Sequence, residues 1–298
     1  MATAALILVT AVWGVTFVQV KDAVALYPFL AFLAVRYAVA SVTLAPAALP
    51  RVRALPRSGF DAGAILGVLI AVGLGLQTAG LERTTVTNAG FITGLYVLFT
   101  PLLGLVLFRT RIPRELWLAV LLAVVGLALL SGVPEGSHAG DLLVLTSAVA
   151  QALQIVMVER YANRYDALAL TFVEVTTACA AFTLVAFALG DLRALPRGTT
   201  VWAAILVTGL FGVAFAYLVQ VWAQRRVTAT RIAIVFSLET VFAGAAGYVF
   251  DDDRLGAVGL AGCGLILGGI LLAEPAAAAT LRRLVGRPAP EPGPRPLG

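Results

Sequence analysis

Three ionisable residues lie in stretches of the chain that are otherwise apolar: Arg36, Glu174 and Glu239. A charge at the centre of a bilayer costs about 2.5–3.5 kcal/mol on insertion scales, and such residues usually face a bundle interior or a wet cavity. Glu239 lies ten residues into its apolar stretch, close to mid-depth. We expect its carboxyl to bind a substrate amine or to carry a proton. The structural alternative is a carboxyl that is neutralised by protonation or bonded to a helix terminus.

Arg36 and Glu174 occupy equivalent places in the two halves of the chain, 138 positions apart. Both are predicted as charged intramembrane residues. Two interpretations stay open for each of them. The charge either serves the function, or it forms a fixed ion pair or helix cap that holds the bundle in register.

Uncharged polar residues form stripes at helical spacing. Ser147, Gln151 and Gln154 share one face by i, i+4 and i+7 spacing, and Tyr217 and Gln220 share another. Amide side chains donate and accept hydrogen bonds at once, which suits polar or zwitterionic solutes. The alternative is interhelical hydrogen bonding, worth about 0.6 kcal/mol on average. The predicted lining of a central cavity comprises Trp13, Gln19, Gln77, Tyr96, Gln151, Gln154, Tyr217, Gln220 and Glu239.

The composition indicates what positions these residues. Of 298 residues, 60% are hydrophobic and 12% are charged, whereas a soluble domain carries about 25% charged residues. The chain is therefore predicted to be an all-α integral membrane protein. Its net charge of +5 comes from residues scattered over short loops, which does not indicate nucleic-acid binding. Ten apolar segments can be bracketed, at 3–20, 29–49, 60–80, 86–108, 115–132, 140–158, 167–189, 200–223, 229–250 and 255–273.

The basic residues predict the orientation of these segments. The even-numbered loops and the C-terminal tail hold fifteen Lys and Arg residues, and the odd-numbered loops hold five. Cytoplasmic loops carry the excess of positive charge. Both termini are therefore predicted to be cytoplasmic.

The chain also contains an internal duplication. Thr87–Phe108 aligns with the stretch that begins at Thr230, at an offset of 143. This alignment pairs Tyr96 with Glu239 and gives thirteen identities over the fifty-nine positions from 71 to 129. Each half holds five segments, and an odd number inverts the second half in the membrane. The predicted fold is ten transmembrane helices, arranged as two inverted five-helix repeats around a central cavity. The predicted units are 1–132, a linker at 133–139, the second repeat at 140–274 and a disordered, basic, Pro/Ala-rich cytoplasmic tail at 275–298.

Glycines four residues apart predict faces where helices approach closely. The pairs are Gly63 with Gly67, Gly90 with Gly94, and Gly264 with Gly268. The single histidine, His138, has no partner cysteines, and no metal site is predicted.

The sequence resembles the drug/metabolite transporter superfamily, and specifically the EamA-type permeases. The resemblance covers about 1–273 and is carried by the repeat, by Trp-Gly-x-x-Phe from Trp13 with Lys21, by Arg36-Tyr37-Ala38 and by Ser237-Leu238-Glu239. It implies a basket of spans one to four and six to nine around the cavity, with spans five and ten packed outside. It also implies export of amino acids or other small metabolites from a bacterial inner membrane.

The sequence departs from the family pattern at several places. Thr240 replaces the proline of Ser-Leu-Glu-Pro, so a kink expected there would be absent. Gln151 replaces a tryptophan often found in span six. These differences make the transfer of a specific substrate unsafe.

The predicted function is secondary transport by alternating access, with the bilayer, a small-molecule substrate and a coupled proton as partners. No enzymatic activity, cofactor or nucleic-acid partner is predicted. One alternative is a multidrug or cation efflux pump that uses Glu239. Another is an intramembrane prenyltransferase in which Asp251, Asp252 and Asp253 hold Mg²⁺. A prenyltransferase would need another acidic cluster, and the run Asp251–Asp253 falls on the predicted outer side.

Overall fold

A computed structural model of the chain describes residues 2–81, 83–84, 86–131, 138–193, 195–250 and 256–273. The regular secondary structure of these residues is helical. In the first half the helices are α1 (Ala2–Leu26), α2 (Phe29–Arg53), α3 (Arg57–Leu81), α4 (Val86–Gly94), α5 (Tyr96–Phe108) and α6 (Arg114–Ser131).

The second half begins with α7 (His138–Ala162) and α8 (Ala167–Leu189), followed by a short 3₁₀ turn at Asp191–Arg193. The next apolar segment forms one continuous rod in three parts. Its ends are α9 (Thr199–Val207) and α10 (Ala216–Gln224), and its middle, Thr208–Phe215, has π-helical hydrogen bonding. The last helices are α11 (Ala229–Phe236), α12 (Leu238–Phe250) and α13 (Ala257–Ala273).

Several helices have the length and composition to cross a bilayer. Six spans reach at least twenty residues with high mean hydropathy, namely 29–53, 57–81, 89–108, 139–162, 167–189 and 199–224. Large apolar side chains, including Leu121, Phe187 and Leu271, point away from the protein interior. A helix satisfies its own backbone hydrogen bonds, which lipid cannot do. These features are those of a multi-pass membrane protein.

Glycines set the closest helix contacts. Added to Gly63 or Gly67 of α3, a Cβ atom would clash with α8, at Val173 and at the carbonyl oxygen of Glu174 respectively. The close face predicted for this pair is therefore confirmed. Gly94 lies against Leu127, whereas Gly90 has no described atom nearby.

The prediction for Gly264 and Gly268 is wrong, because a Cβ on either glycine would meet no described atom within 4 Å. The close face of α13 instead carries Gly262 and Gly269, which lie against α6. At about 100° per residue, positions seven apart nearly coincide around a helix, whereas Gly264 lies about 200° from Gly262. Spacing identified a small-residue face on α13, but not the one that packs.

Two of the apolar segments are divided at equivalent places. The fourth is divided at Leu95, between α4 and α5, and the ninth at Ser237, between α11 and α12. The ninth is divided although it has no proline at this place. The Ser237 hydroxyl donates to the Ile234 carbonyl at 2.6 Å, and the Thr240 hydroxyl donates to the Ser237 carbonyl at 2.7 Å. Such side-chain bonds compete with the regular helical ladder and bend helices without proline.

The contact between α6 and α13 gives a matched test of packing. Gly262→Ala places a methyl group 2.6 Å from the Gly126 carbonyl oxygen, whereas Gly264→Ala places one in open space. We expect Gly262→Ala to lower stability by about 1–3 kcal/mol, as overpacking does. Gly264→Ala is expected to be neutral or slightly stabilising. Thermal unfolding of the purified protein in detergent compares the two, and equal melting temperatures would contradict the described packing.

Candidate functional site

A cavity lies between helices of both halves and contains about 460 Å³ of space that no atom fills, including its opening. The described lining comes from α1, α3, α5, α7, α10, α11 and α12, and none comes from α6 or α13. Its residues are Trp13, Ile70, Leu74, Tyr96, Gln151, Gln154, Ile155, Tyr217, Gln220, Phe236 and Glu239.

Glu239 and Tyr96 enter the cavity where the two divided segments resume as helices. Glu239 is the second residue of α12, and Tyr96 is the first residue of α5. A carboxylate in the first turn of a helix is favoured by the helix dipole. No hydrogen bond or ion pair joins the Glu239 carboxyl to any residue that the structure describes. The group is therefore placed at the cavity without a fixed protein partner.

Trp13, which was predicted to line the cavity, also packs against its neighbours. Its indole Nε1 donates to the Gly212 carbonyl of the π-helical segment at 2.8 Å. Its ring meets that of Phe236 edge-on, with centroids 4.9 Å apart, and lies 6.3 Å from that of Tyr217. Next to it, Gly14 fits α1 against the Glu239 carbonyl oxygen of α12. Trp13 is thus anchored by packing while it lines the cavity.

A chain of glutamine side chains runs from the cavity wall into the protein interior. Gln154 Nε2 donates to Glu174 Oε1 at 2.7 Å, and Gln220 Nε2 donates to Gln154 Oε1 at 3.0 Å. Gln220 Nε2 also donates to Gln224 Oε1 at 3.1 Å, and Gln224 Nε2 donates to the Ile155 carbonyl at 2.7 Å. The Glu174 carboxyl and the Ile155 carbonyl lie at the two ends of this chain.

Glu174 is fully buried on α8, and its Oε2 atom has no hydrogen-bond partner. Arg36, on α2, is 9% exposed, and its Nε atom also has no partner. Within the described ranges, an ion pair joins Arg51 to Asp166, at 3.1 Å. The structure therefore gives no support to a fixed ion pair for Arg36 or Glu174. Neither residue belongs to the cavity lining.

Two residues predicted for the cavity lie elsewhere. Gln19 is exposed on α1, about 240° around the helix from Trp13 and about 9 Å further along it. Gln77 lies one turn beyond Leu74 and donates from Nε2 to Thr93 Oγ1 of α4 at 2.9 Å. Gln77 thus has the interhelical hydrogen bond that was its alternative interpretation. In both cases the position along the helix, and not the residue type, takes the side chain out of the cavity.

The remaining seven predicted residues, Trp13, Tyr96, Gln151, Gln154, Tyr217, Gln220 and Glu239, line the cavity. Their part in substrate binding stays a prediction. The sequence analysis missed Ile70, Leu74, Ile155 and Phe236, because apolar residues in an apolar span carry no signal that separates a cavity wall from a lipid face. Gln151 Nε2 donates to Ser147 Oγ at 2.9 Å, along the predicted stripe.

Some predicted features lie outside the described residues. These are the acidic run Asp251–Asp253, the linker from 133 to 137, the tail beyond 273 and the side chains of Lys21 and His138. Within the described part of the chain, no three potential metal ligands come together.

The comparisons with known proteins identify the family. A sequence profile of the EamA-like transporter family matches twice, over residues 1–132 and 138–273. The chain belongs to the EamA-like transporter family. It is accordingly a membrane transporter, and it falls in the superfamily that its motifs indicated.

Individual relatives carry the same general description. The chain is 34% identical over 240 residues to an uncharacterized transporter of Archaeoglobus fulgidus, covering 80% of this chain and 74% of that protein. It is 26% identical over 269 residues to an uncharacterized transporter of Bacillus subtilis, covering 87% of each. A crystal structure at 19% identity superposes with a TM-score of 0.79, covering 94% of this chain and 98% of that one. At this identity the superposition shows only that the two proteins share a fold.

The glutamine chain gives a second matched test. Gln154→Leu removes the hydrogen-bond donor of the buried Glu174 carboxyl, whereas Gln151→Leu removes only a bond to the Ser147 hydroxyl. Because a buried acceptor left unpaired costs about 1–3 kcal/mol, we expect Gln154→Leu to destabilise the protein more. Thermal unfolding in detergent measures both.

A double-mutant cycle separates this pair from general packing loss. Gln154→Leu should cost less in a Glu174→Leu background than in the wild type, with a coupling of about 0.5–3 kcal/mol. Additive losses would mean that the bond between Gln154 and Glu174 contributes nothing to stability.

Proposed function

We propose that this transporter exports amino acids or similar small metabolites by alternating access, with the described cavity as the substrate site. The observation that carries the proposal is the Glu239 carboxyl, which faces the cavity and has no fixed partner among the described residues. A buried carboxyl at mid-membrane needs compensation, either from a proton or from a cationic group of the solute. The amide of Gln151, which also lines the cavity, adds hydrogen-bonding groups for the rest of a polar solute.

The two halves are proposed to be inverted repeats that exchange conformations around this cavity. Two features support this view. The family profile matches each half separately, and the divided segments break at Leu95 and Ser237, within one residue of equivalent positions. Short loops and five segments per half then place the second half upside down. Discontinuous helices at the seam between repeats are a recurring feature of secondary transporters.

Glu239 is proposed to alternate between a proton and a substrate amine. Binding the amine displaces the proton, and release of the amine lets the proton return, so one carboxyl couples the two movements. This arrangement needs no nucleotide. The bacterial inner membrane, with its proton gradient, is the proposed location.

Efflux of lipophilic cations is a second candidate. Four aromatic side chains line the same cavity as this carboxyl, namely Trp13, Tyr96, Tyr217 and Phe236. Aromatic faces attract cations by about 0.5–2 kcal/mol each. The same site could therefore hold a large organic cation without using the amide groups. An intramembrane prenyltransferase is not proposed, because family membership points to transport.

Transport by purified protein in proteoliposomes tests the role of Glu239. Vesicles are loaded with candidate amino acids or with organic cations, and wild type is compared with Glu239→Gln, which keeps the shape and removes the charge. We expect the variant to lose at least about tenfold in transport rate and to lose any dependence on the pH gradient. Asp61→Asn, which alters an exposed carboxyl on α3, should transport like the wild type. Unchanged transport by Glu239→Gln across the pH range would remove the proposed role.

The inverted topology is tested at two loops that occupy equivalent places in the two halves. Arg53 precedes α3 and Arg197 precedes α9, and both side chains are exposed. In a protein whose native Cys179 and Cys263 are replaced by alanine, Arg197→Cys should react with an impermeant maleimide on intact cells. Arg53→Cys should react only after the membrane is opened. Labelling of both from the same side would contradict the inversion, and labelling with the two sides exchanged would contradict the cytoplasmic termini.

A further inference from the structure

Arg36 is a buried cation without a partner among the described residues of the bundle. Its guanidinium forms no hydrogen bond and no ion pair with any residue that the structure describes, and its Nε atom is buried without a partner. An arginine carries five N–H donors and cannot be deprotonated in a protein. Other arginines find partners, as Arg225 does through the Ala162 and Tyr165 carbonyls at 2.8 and 2.6 Å.

The place of Arg36 in the fold connects it to the cavity. A Cβ atom on Gly212 would lie 3.1 Å from Arg36 Nη2 and 3.7 Å from Trp13 Cδ1. The guanidinium and the indole ring of Trp13, which lines the cavity, thus both lie against the π-helical segment at Gly212. It also lies within electrostatic range of Glu239, a further lining residue. No ion pair forms between Arg36 and Glu239, so a gap separates the two opposite charges.

Several features of the sequence keep the guanidinium in this place. Gly209 and Gly212 let the π-helical segment approach α2, where a Cβ on Gly209 would clash with the Arg36 carbonyl oxygen at 2.9 Å. The segment also provides the Gly212 carbonyl that anchors Trp13. π-Helical turns occur frequently at functional sites. No described hydrogen bond holds the guanidinium in one orientation.

We propose that Arg36 is the receptor for an anionic group of the transported solute, with a carboxylate as the chemistry that fits it. The inference rests on the proposed transport function and adds a subsite to it. A guanidinium binds a carboxylate through two parallel N–H···O hydrogen bonds. An anion bound between Arg36 and the cavity would compensate the positive charge of the guanidinium, which no described residue pairs with. The solute then spans the gap, with its anionic group at Arg36 and its amine at Glu239.

Exchange in proteoliposomes tests this assignment with matched solutes. The probes are several L-amino acids, each paired with its carboxamide, which keeps the side chain and the amine and removes the anion. We expect wild type to exchange the acids at least about tenfold faster than the carboxamides. Arg36→Gln should lose about ten- to a hundredfold in acid exchange, so that its preference for the acid disappears. Arg36→Lys keeps the charge but loses the paired geometry, and should retain part of the preference.

Two controls separate recognition from other roles of the charge. Arg231→Gln alters an arginine at the start of α11 whose Nε also lacks a partner, and it should leave the preference intact. If Arg36 served only to neutralise Glu239, Arg36→Gln would impair acid and carboxamide equally. Such an equal loss for the two solutes would overturn the proposal.

The remaining outcomes are also decisive. Equal rates for acid and carboxamide in the wild type would contradict the anion subsite while leaving amino-acid transport in place. If the wild type exchanged no member of any pair, the proposed amino-acid export would fail, and the subsite with it. Size-exclusion profiles and thermal unfolding establish that each variant is folded, and Arg36→Lys carries the test if Arg36→Gln is not.

Discussion

The bundle is built under one constraint, which is that a hydrocarbon interior offers no hydrogen bonds to polar side chains. Each polar group inside must find a partner in the protein, in water or in a ligand. The glutamine chain meets this requirement within the protein, since it ends on Glu174 at one side and on the Ile155 carbonyl at the other. Arg36 and Glu239 do not meet it among the described residues. This difference separates polar residues that hold the bundle together from those left for something that binds.

Close helix approach is what brings these groups near one another. Gly14 lets α1 lie against the backbone of Glu239, and Gly212 lets the π-helical segment receive both Arg36 and Trp13. In lipid there is no hydrophobic driving force for helix association. Helices therefore associate largely through the close packing that small residues allow. The same glycines that stabilise the bundle therefore define the distance between the charges. Stability and site geometry are set by one set of contacts.

The sequence predicted the segments well and the partners poorly. Each bracketed apolar segment contains helix, because long apolar runs with charged ends leave few alternatives. Helical spacing on α7 and α10 placed Gln151, Gln154 and Gln220 together. Spacing could not reveal which face of α13 packs, or that Gln77 meets Thr93, because both depend on how far a neighbouring helix is rotated and shifted. The apolar part of the cavity wall was equally hidden, since Leu74 and Ile155 look the same against lipid and against a solute.

The two halves that the family profile matches carry different residues at the cavity. Tyr96 and Glu239 occupy equivalent positions, at the points where α5 and α12 resume. If the halves exchange conformations as proposed, their backbones must be able to adopt each other's shapes, and the shared division of the two segments meets that need. The chemistry does not have to be shared. A second carboxyl at position 96 would place two like charges across one cavity, which raises the free energy of ionising either. A phenol keeps hydrogen bonding at that place and leaves a single carboxyl for a single cationic group.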